Sequence, residues 1–189
     1  VKNVEGFYKF ISSFHKVVFK PIDGRKGKGI YFISKVGESY VVRKDSEDQT
    51  YTKQSLNNFL EGKLSAGTFI VQPYINSTTK SGQVFDFRLH VQKNGEGIWV
   101  VTTIYPRIAP SGSIIANINN GGFTNYLDPF LQQEFEEEAF NIRRLLEHFS
   151  LSLADHLDQI QMVKYGEIID EIGIDIGLDE NMKIWIYEV

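Results

Sequence analysis

The chain has 189 residues, enough for one large domain or two small ones sharing a core. Hydrophobic residues at 42% and aromatics at 13% exclude a disordered chain, and a formal charge of −4 provides no global field for nucleic acid, so any anion site must be local. The absence of cysteine excludes disulfides, thiolate metal sites and a cysteine nucleophile, and fits a reducing compartment.

No apolar run reaches the ~20 residues of a membrane helix, and no signal peptide is visible. The chain opens at Val1 on a helical pattern and closes inside a strand pattern at Ile184–Val189. It is expected to be a piece of a longer protein.

Phe7, Phe10, Ile11 and Phe14 follow helical spacing, so residues 4–14 are expected to form a helix. Val17–Lys20 reads as a strand ended by Pro21. Gly29–Ser34 and Ser39–Arg43 read as a hairpin turning at Gly37. Leu56, Phe59 and Leu60 predict a helix over roughly 52–61 closed by Gly62, and Phe69–Gln72 a short strand before a polar loop at 76–82.

Two long strands, 84–93 and 98–107, flank Asn94-Gly95-Glu96-Gly97, a strong hairpin signal. Residues 108–128 read as loop with a short strand at Ile114-Ile115. Leu131, Phe135, Ala139, Ile142, Leu146 and Phe149 predict one amphipathic helix, and Leu153, Leu157 and Ile160 a second. Two strands around Asp179-Glu180-Asn181 close the chain. This order predicts a mainly antiparallel α+β protein, with a small lobe over residues 1–73 and a larger one over 74–189.

Three segments carry possible chemistry. The first is Lys20-Pro21 followed by Gly24, Gly27 and Gly29, with Arg25, Lys26 and Lys28 between the glycines. It is not a Walker A loop, because Ile30 stands where Lys-Ser/Thr is required, nor a dinucleotide fingerprint, because a strand follows it. Glycines nevertheless let backbone N–H groups close on an anion, and a strand–loop–strand can fold over phosphates as a flap. Lys20 would then be a fixed charge beside them. The alternative is a mobile hairpin with solvated lysines.

The second is the strand 84–93, where Asp86, Arg88, His90 and Gln92 alternate with Phe85, Phe87, Leu89 and Val91. A turn centred on Gly95-Glu96 sets Asp86 opposite Tyr105, Arg88 opposite Thr103 and Arg107 diagonal to Asp86. Two arginines and an aspartate then share a face, suited to phosphate or carboxylate oxygens. A solvated sheet face is the alternative, and His90 reads as a bystander.

The third is the acidic C-terminal hairpin. A turn near residue 180 makes Asp175 and Glu188 diagonal neighbours, able to share a hard cation such as Mg²⁺ or, alternatively, to pair with lysines. Asp179 and Glu180 read as solvated turn residues.

In this order, the segments resemble the ATP-grasp superfamily over nearly the whole chain. Val18-Phe19-Lys20-Pro21 with Gly24, Gly27, Gly29 and Ile30 is similar to its lysine strand and phosphate flap. Phe69–Ile75 is similar to the hinge strand, and Asp86-Phe87-Arg88 to its D-x-R strand. Arg107, Asn117 and Gly121-Gly122 are similar to its R…N…GG segment. Glu171–Ile176 and Trp185–Val189 are similar to its paired metal strands. Val84–Lys93, Trp99 and the last twenty residues resemble the YheC/YheD group, described as endospore coat-associated proteins.

The resemblance implies ATP held between two α+β lobes. Lys20 and the flap would hold phosphate, with Gln72 and Tyr74 beside the base, and Asp86 and Asn117 would belong to the nucleotide site. Arg88 and Arg107 would hold the γ-phosphate and later an acyl-phosphate. Asp175 and Glu188 would hold Mg²⁺. The family pattern adds an asparagine just beyond Val189 and a lobe upstream of Val1. The implied reaction is activation of an unnamed carboxylate by ATP, then attack by an amine or thiol. A non-catalytic nucleotide-binding spore-coat component and an ATP-grasp kinase are the alternatives. Neither nucleic acid nor membrane is an expected partner, and a cytoplasmic or spore-associated location is.

Overall fold

The computed structural model describes residues 1, 3–23, 29–44, 47–113, 116 and 121–189. The chain divides into two compact units, Val1–Tyr74 with residues 112–114, and Ile75–Ser111 with residues 115–189. Each contains a five-stranded antiparallel sheet with helices on one face.

In the first unit, α1 (Val4–Phe14) starts at Asn3, whose side chain accepts the Gly6 N–H and satisfies one orphan donor of the first turn. Phe7 and Ile11 form its buried stripe. Strands β1 (Lys16–Pro21), β2 (Tyr31–Val36), β3 (Ser39–Lys44) and β4 (Glu47–Tyr51) follow, then α2 (Lys53–Ala66) and β5 (Phe69–Pro73), in the sheet order β4-β3-β2-β1-β5. Val17, Phe19, Ile33, Tyr40 and Val42 face the helices and pack on Phe7, Ile11, Leu56 and Leu60.

Strand alternation therefore sends Lys16, Val18 and Lys20 to the open face. They share it with Phe32, Ser34, Val41, Arg43 and Gln72, their same-face neighbours by register. Helix α2 outruns the expected stop at Gly62. Leu64 packs on the core, so burial carries the helix across that glycine to Gly67. Strand β4 has no apolar alternation, being exposed through most of its length, and is built by pairing with β3.

The second unit has the order β10-β9-β6-β7-β8: β6 (Phe85–Lys93), β7 (Trp99–Ile108), β8 (Phe123–Thr124), β9 (Glu171–Leu178) and β10 (Ile184–Glu188). Helices α3 (Leu127–Phe135) and α4 (Ala139–Tyr165) cover one face. Phe85, Phe87, Leu89, Ile174 and Ile176 meet Phe130, Ile142 and Leu146 there.

The two helices do not divide where the apolar spacing suggested. The break falls at a 3₁₀ turn, Glu136–Glu138, where Glu136 takes φ 50°, and α4 then runs unbroken through Ser150 and Ser152. Ser150 is buried and its hydroxyl donates to the Glu147 carbonyl, so the polar residue is satisfied within the helix. The strand expected at Ile114-Ile115 lies outside the described residues; the short β8 comes later. Among the described residues no helix is long and apolar enough to cross a membrane.

Candidate functional site

Both hairpins of the second sheet contain one residue more in one arm than a regular ladder needs. In β6–β7 the pairing begins at Lys93↔Trp99 and reaches Val91↔Val101, then jumps to His90↔Thr103, leaving Thr102 as the extra residue of a bulge. Asp86 therefore sits opposite Arg107 and Arg88 opposite Tyr105, correcting the expected partners Tyr105 and Thr103. In β9–β10, Ile176 pairs with Ile186 but Asp175 with Glu188, so Tyr187 is extra. Asp175 and Glu188 are thus directly opposed and not diagonal.

This register assembles an ionic chain on the face away from the helices. Arg107 makes a two-pronged ion pair with Asp86, Nε to Oδ1 at 2.6 Å and Nη2 to Oδ2 at 2.8 Å. The same Nη2 lies 2.9 Å from Asp175 Oδ2, and Arg88 Nε lies 2.9 Å from Asp175 Oδ1. Asp86 and Arg107 side chains are each 13% exposed and Asp175 11%, against 35% for Arg88. Carboxylates and guanidinium groups alternate, so the burial cost of each charge is partly offset by an opposite neighbour.

Burial pushes the Asp86 carboxyl up to about 6, against the downward pull of Arg107. For Arg107, burial opposes the charge but the bonds to Asp86, then to Asp175, outweigh it and hold the pKa above the usual range. Asp175 Oδ1 is buried and lacks a hydrogen-bond partner: its contact with Arg88 is within ion-pair distance but off the N–H direction.

That oxygen and the exposed Glu188, paired with Asp175 across the ladder, are the carboxylates that could contribute to a hard-cation site here. Among the described residues no group of three His, Cys, Asp or Glu side chains could hold a metal ion. A cation here would therefore take its other ligands from water or phosphate.

His90 and Gln92 continue the same face. The His90 ring Nε2 is 2.6 Å from Glu171 Oε1, and Gln92 Nε2 donates to Oε2 at 3.1 Å. The bonds from Gln92 first and His90 second hold Glu171 below the usual carboxylate range. Asp179 is not simply solvated. Its carboxylate accepts the N–H groups of Asn181 and Lys183 and the Trp185 indole N–H at 2.8 Å, fixing the β9–β10 turn.

On the first unit, Lys20 lies on β1 opposite Ile70, and Gln72 opposite Val18 on the same open face. The Tyr74 N–H donates to the Lys16 carbonyl. The Tyr74 ring carries the Lys16 ammonium 3.5 Å from its centroid and meets the edge of Phe32. Gly29 has φ +76°, a conformation that favours glycine, and a Cβ there would come within 3.3 Å of the Pro21 ring, a tight contact. Gly24, Gly27 and Asn117 lie outside the described residues.

The same open face has a cleft of about 140 Å³ lined by Lys16, Phe32, Ser34, Val41, Arg43 and Asp48. Arg43 grips Asp48 there through two 2.5 Å bonds. Lys16 is half-buried, and burial first and Arg43 second hold its pKa below the usual lysine range. Sequence reading missed this cleft, because Asp48 belongs to a strand with no apolar signature.

The structure thus brings Asp86, Arg88, Arg107, Asp175 and Glu188 together on one face of the second unit, and Lys20, Gln72 and Tyr74 onto the open face of the first, with Gly29 beside Pro21 at the end of β1. Two α+β units with these faces define an ATP-grasp fold, and comparison with known proteins gives the family. The chain belongs to the YheC/D-like ATP-grasp family, whose sequence model matches residues 1–189.

It is similar to endospore coat-associated protein YheD of Bacillus subtilis strain 168, 28% identical over 197 residues covering 98% of this chain and 41% of YheD. It is also similar to YheC of the same organism, 24% identical over 194 residues covering 100% of this chain and 52% of YheC. The chain therefore spans about half the length, or less, of these relatives. Among solved structures, N5-carboxyaminoimidazole synthetase from Staphylococcus aureus, complexed with ADP, shares the fold. The TM-score is 0.55 at 12% identity, over all of this chain and 38% of that one.

Proposed function

We propose that this chain is the ATP- and Mg²⁺-binding domain of a ligase that activates a carboxylate as an acyl-phosphate and joins it to an amine or thiol. The observation that carries the reading is the alternating Asp86–Arg107–Asp175–Arg88 chain with Glu188 opposite Asp175. The relationship to a fold that holds ADP in the synthetase named above supports it.

In this reading Lys20 and Gly29 act on the nucleotide phosphates, and Gln72 and Tyr74 border the base. Arg88 and Arg107 face the transferring phosphoryl group. A carboxylate oxygen of the substrate bonds to the γ-phosphorus as the bond to the β-phosphate oxygen breaks and ADP leaves. The amine or thiol then attacks the acyl carbon, loses its proton to solvent, and phosphate departs with the C–O electron pair. Asp175 and Glu188 would hold Mg²⁺, which when bound neutralises charge on the phosphates. Asp86 holds Arg107 in place, so its guanidinium needs no reorganisation when phosphate charge develops.

No side chain is asked to form a covalent intermediate; positioning and charge neutralisation account for the acceleration. The test is ATP turnover by the full-length protein with panels of carboxylates and amines. ADP release that requires a carboxylate supports the ligase. Tight ATP binding with no turnover under any acceptor favours a nucleotide-binding coat component; the names of both relatives supply the coat association. A stable phosphorylated hydroxyl product favours a kinase.

A further inference from the structure

Strand β9 reads Glu-Ile-Gly-Ile-Asp-Ile-Gly-Leu, with glycine two residues before and two residues after Asp175. Glycine weakens a strand, having no side chain to pack and the most backbone freedom to lose. Nothing in the backbone asks for it: neither Gly173 nor Gly177 has positive φ. Nor is either a turn residue, since both lie inside the β9 ladder, Gly173 opposite His90 and Gly177 opposite Trp185.

The reason lies above the strand. A Cβ on Gly173 would stand 2.8 Å from Arg88 Nη1. A Cβ on Gly177 would stand 2.0 Å from the Tyr187 hydroxyl oxygen and 2.5 Å from Cζ. Both distances are below any real carbon contact, so each glycine is the floor on which another side chain rests. Tyr187 is also the extra residue of the β10 bulge. The bulge that sets Glu188 opposite Asp175 thereby frees the tyrosine to lie back on β9.

We propose that Gly173 and Gly177 are positioning residues of this site: bare places on either side of Asp175 that receive the Arg88 guanidinium and the Tyr187 phenol. Tyr187 is accordingly a further member of the site. The geometric part of this inference stands on the side-chain distances alone, while its effect on ligand rests on the nucleotide reading above.

The two clashes differ in kind. Arg88 meets Gly173 with the far end of a flexible chain, so Gly173→Ala displaces the guanidinium from Asp175 at little cost to the fold. Tyr187 meets Gly177 with a rigid ring, and Gly177→Ala must swing the whole side chain away.

The experiment is a pair of double-variant cycles in the full-length protein, read by thermal unfolding and by ATP titration with Mg²⁺. With Arg88 present, Gly173→Ala is expected to leave Tm unchanged or lower it. In an Arg88→Ala background the same change is expected to raise Tm by about 1–4 °C, because alanine then costs less chain entropy and meets nothing. Gly177→Ala is expected to lower Tm with Tyr187 present and to raise it similarly in Tyr187→Ala.

ATP affinity is expected to fall about tenfold in Gly173→Ala, the worth of one charge-assisted bond, with no further loss when Arg88→Ala is added. The same Tm change in both backgrounds, up or down, overturns the proposal. If Gly173→Ala fails to fold alone, folding of the double variant supports the clash, and failure of both overturns it. A Tm gain that appears only in the Arg88→Ala background, with ATP affinity intact in Arg88→Ala, upholds the positioning role and removes the nucleotide reading of this face.

Discussion

Asp86 and Arg107 face each other directly across β6 and β7 and are joined by two parallel hydrogen bonds at 2.6 and 2.8 Å. Arg107 also reaches Asp175, so one guanidinium serves two carboxylates, Asp175 buried and Asp86 largely so. Its removal leaves both short of a partner. Arg107→Ala should therefore destabilise the second unit by about 3–5 kcal/mol, and adding Asp86→Asn should recover part of the loss. Urea unfolding of the three variants measures this; a loss below about 1 kcal/mol would show the pair to be energetically idle.

The same aspartate gives a pH dependence whose sign is fixed by its environment. Burial raises the folded pKa from 3.8 to about 6, so the folded state holds the proton more tightly than the unfolded one. The stability that this contributes is complete below the unfolded value and is lost as pH rises through about 6. Asp86→Asn does not titrate. Its stability relative to the parent should thus improve by roughly 2–3 kcal/mol between pH 4 and pH 7. A difference that stays constant over this range, or moves the other way, would contradict the shift.

Lys20 and Glu188 test the nucleotide reading from the two units separately. Lys20→Ala should weaken ATP binding about tenfold or more through loss of a charge-assisted phosphate contact, with Mg²⁺ dependence retained. Glu188→Gln should shift the Mg²⁺ titration to higher concentration and leave metal-free ATP binding nearly intact. Isothermal titration at several Mg²⁺ concentrations separates the two. Unchanged affinity in Lys20→Ala would remove that lysine from the site, and an unaltered Mg²⁺ midpoint would remove Glu188.

The Asp179 turn sets the start of β10 and hence the register that places Glu188. Asp179→Ala deletes acceptors for two backbone N–H groups and the Trp185 indole, and should lower Tm by about 2–8 °C. Because only the turn is touched, the ion pair between Asp86 and Arg107 should persist. A stability loss accompanied by collapse of that pair's pH signature would show that the sheet unfolds as one piece.

Sequence periodicity located the strongly amphipathic elements well. Phe7 and Ile11 define α1, and the alternation from Phe85 to Val91 defines β6, because in each case one face is apolar and the other is not. It could not see β4, whose five residues carry no apolar alternation and whose order comes from a neighbour's backbone. It could not place the break between α3 and α4, because apolar spacing runs straight through the three glutamates where the chain turns.

The site was legible as a face but not as a set of contacts. In each hairpin the turn is one residue longer than a symmetric reading supposed, and a bulge adds another. The two offsets sum to an even number. Arg107 therefore falls on the expected side of the sheet while meeting a different partner, and Glu188 does likewise. Tyr187 escaped notice because alternation gives no sign of a bulge; the glycines spaced around Asp175 were the available clue.

The spare residue at Thr102 makes the β7 arm unequally tolerant of changes in chain length. A strand that loses one residue near this point can surrender the bulge, pair regularly, and still deliver Arg107 to Asp86. A strand that gains one has no such slack: unless the irregularity doubles, the guanidinium is turned among Phe85 and its neighbours beneath the helices. Deletions in this arm are forgiven and insertions are not; in the arm that presents Glu188 a deletion keeps the register only by giving up the placement of Tyr187 on Gly177.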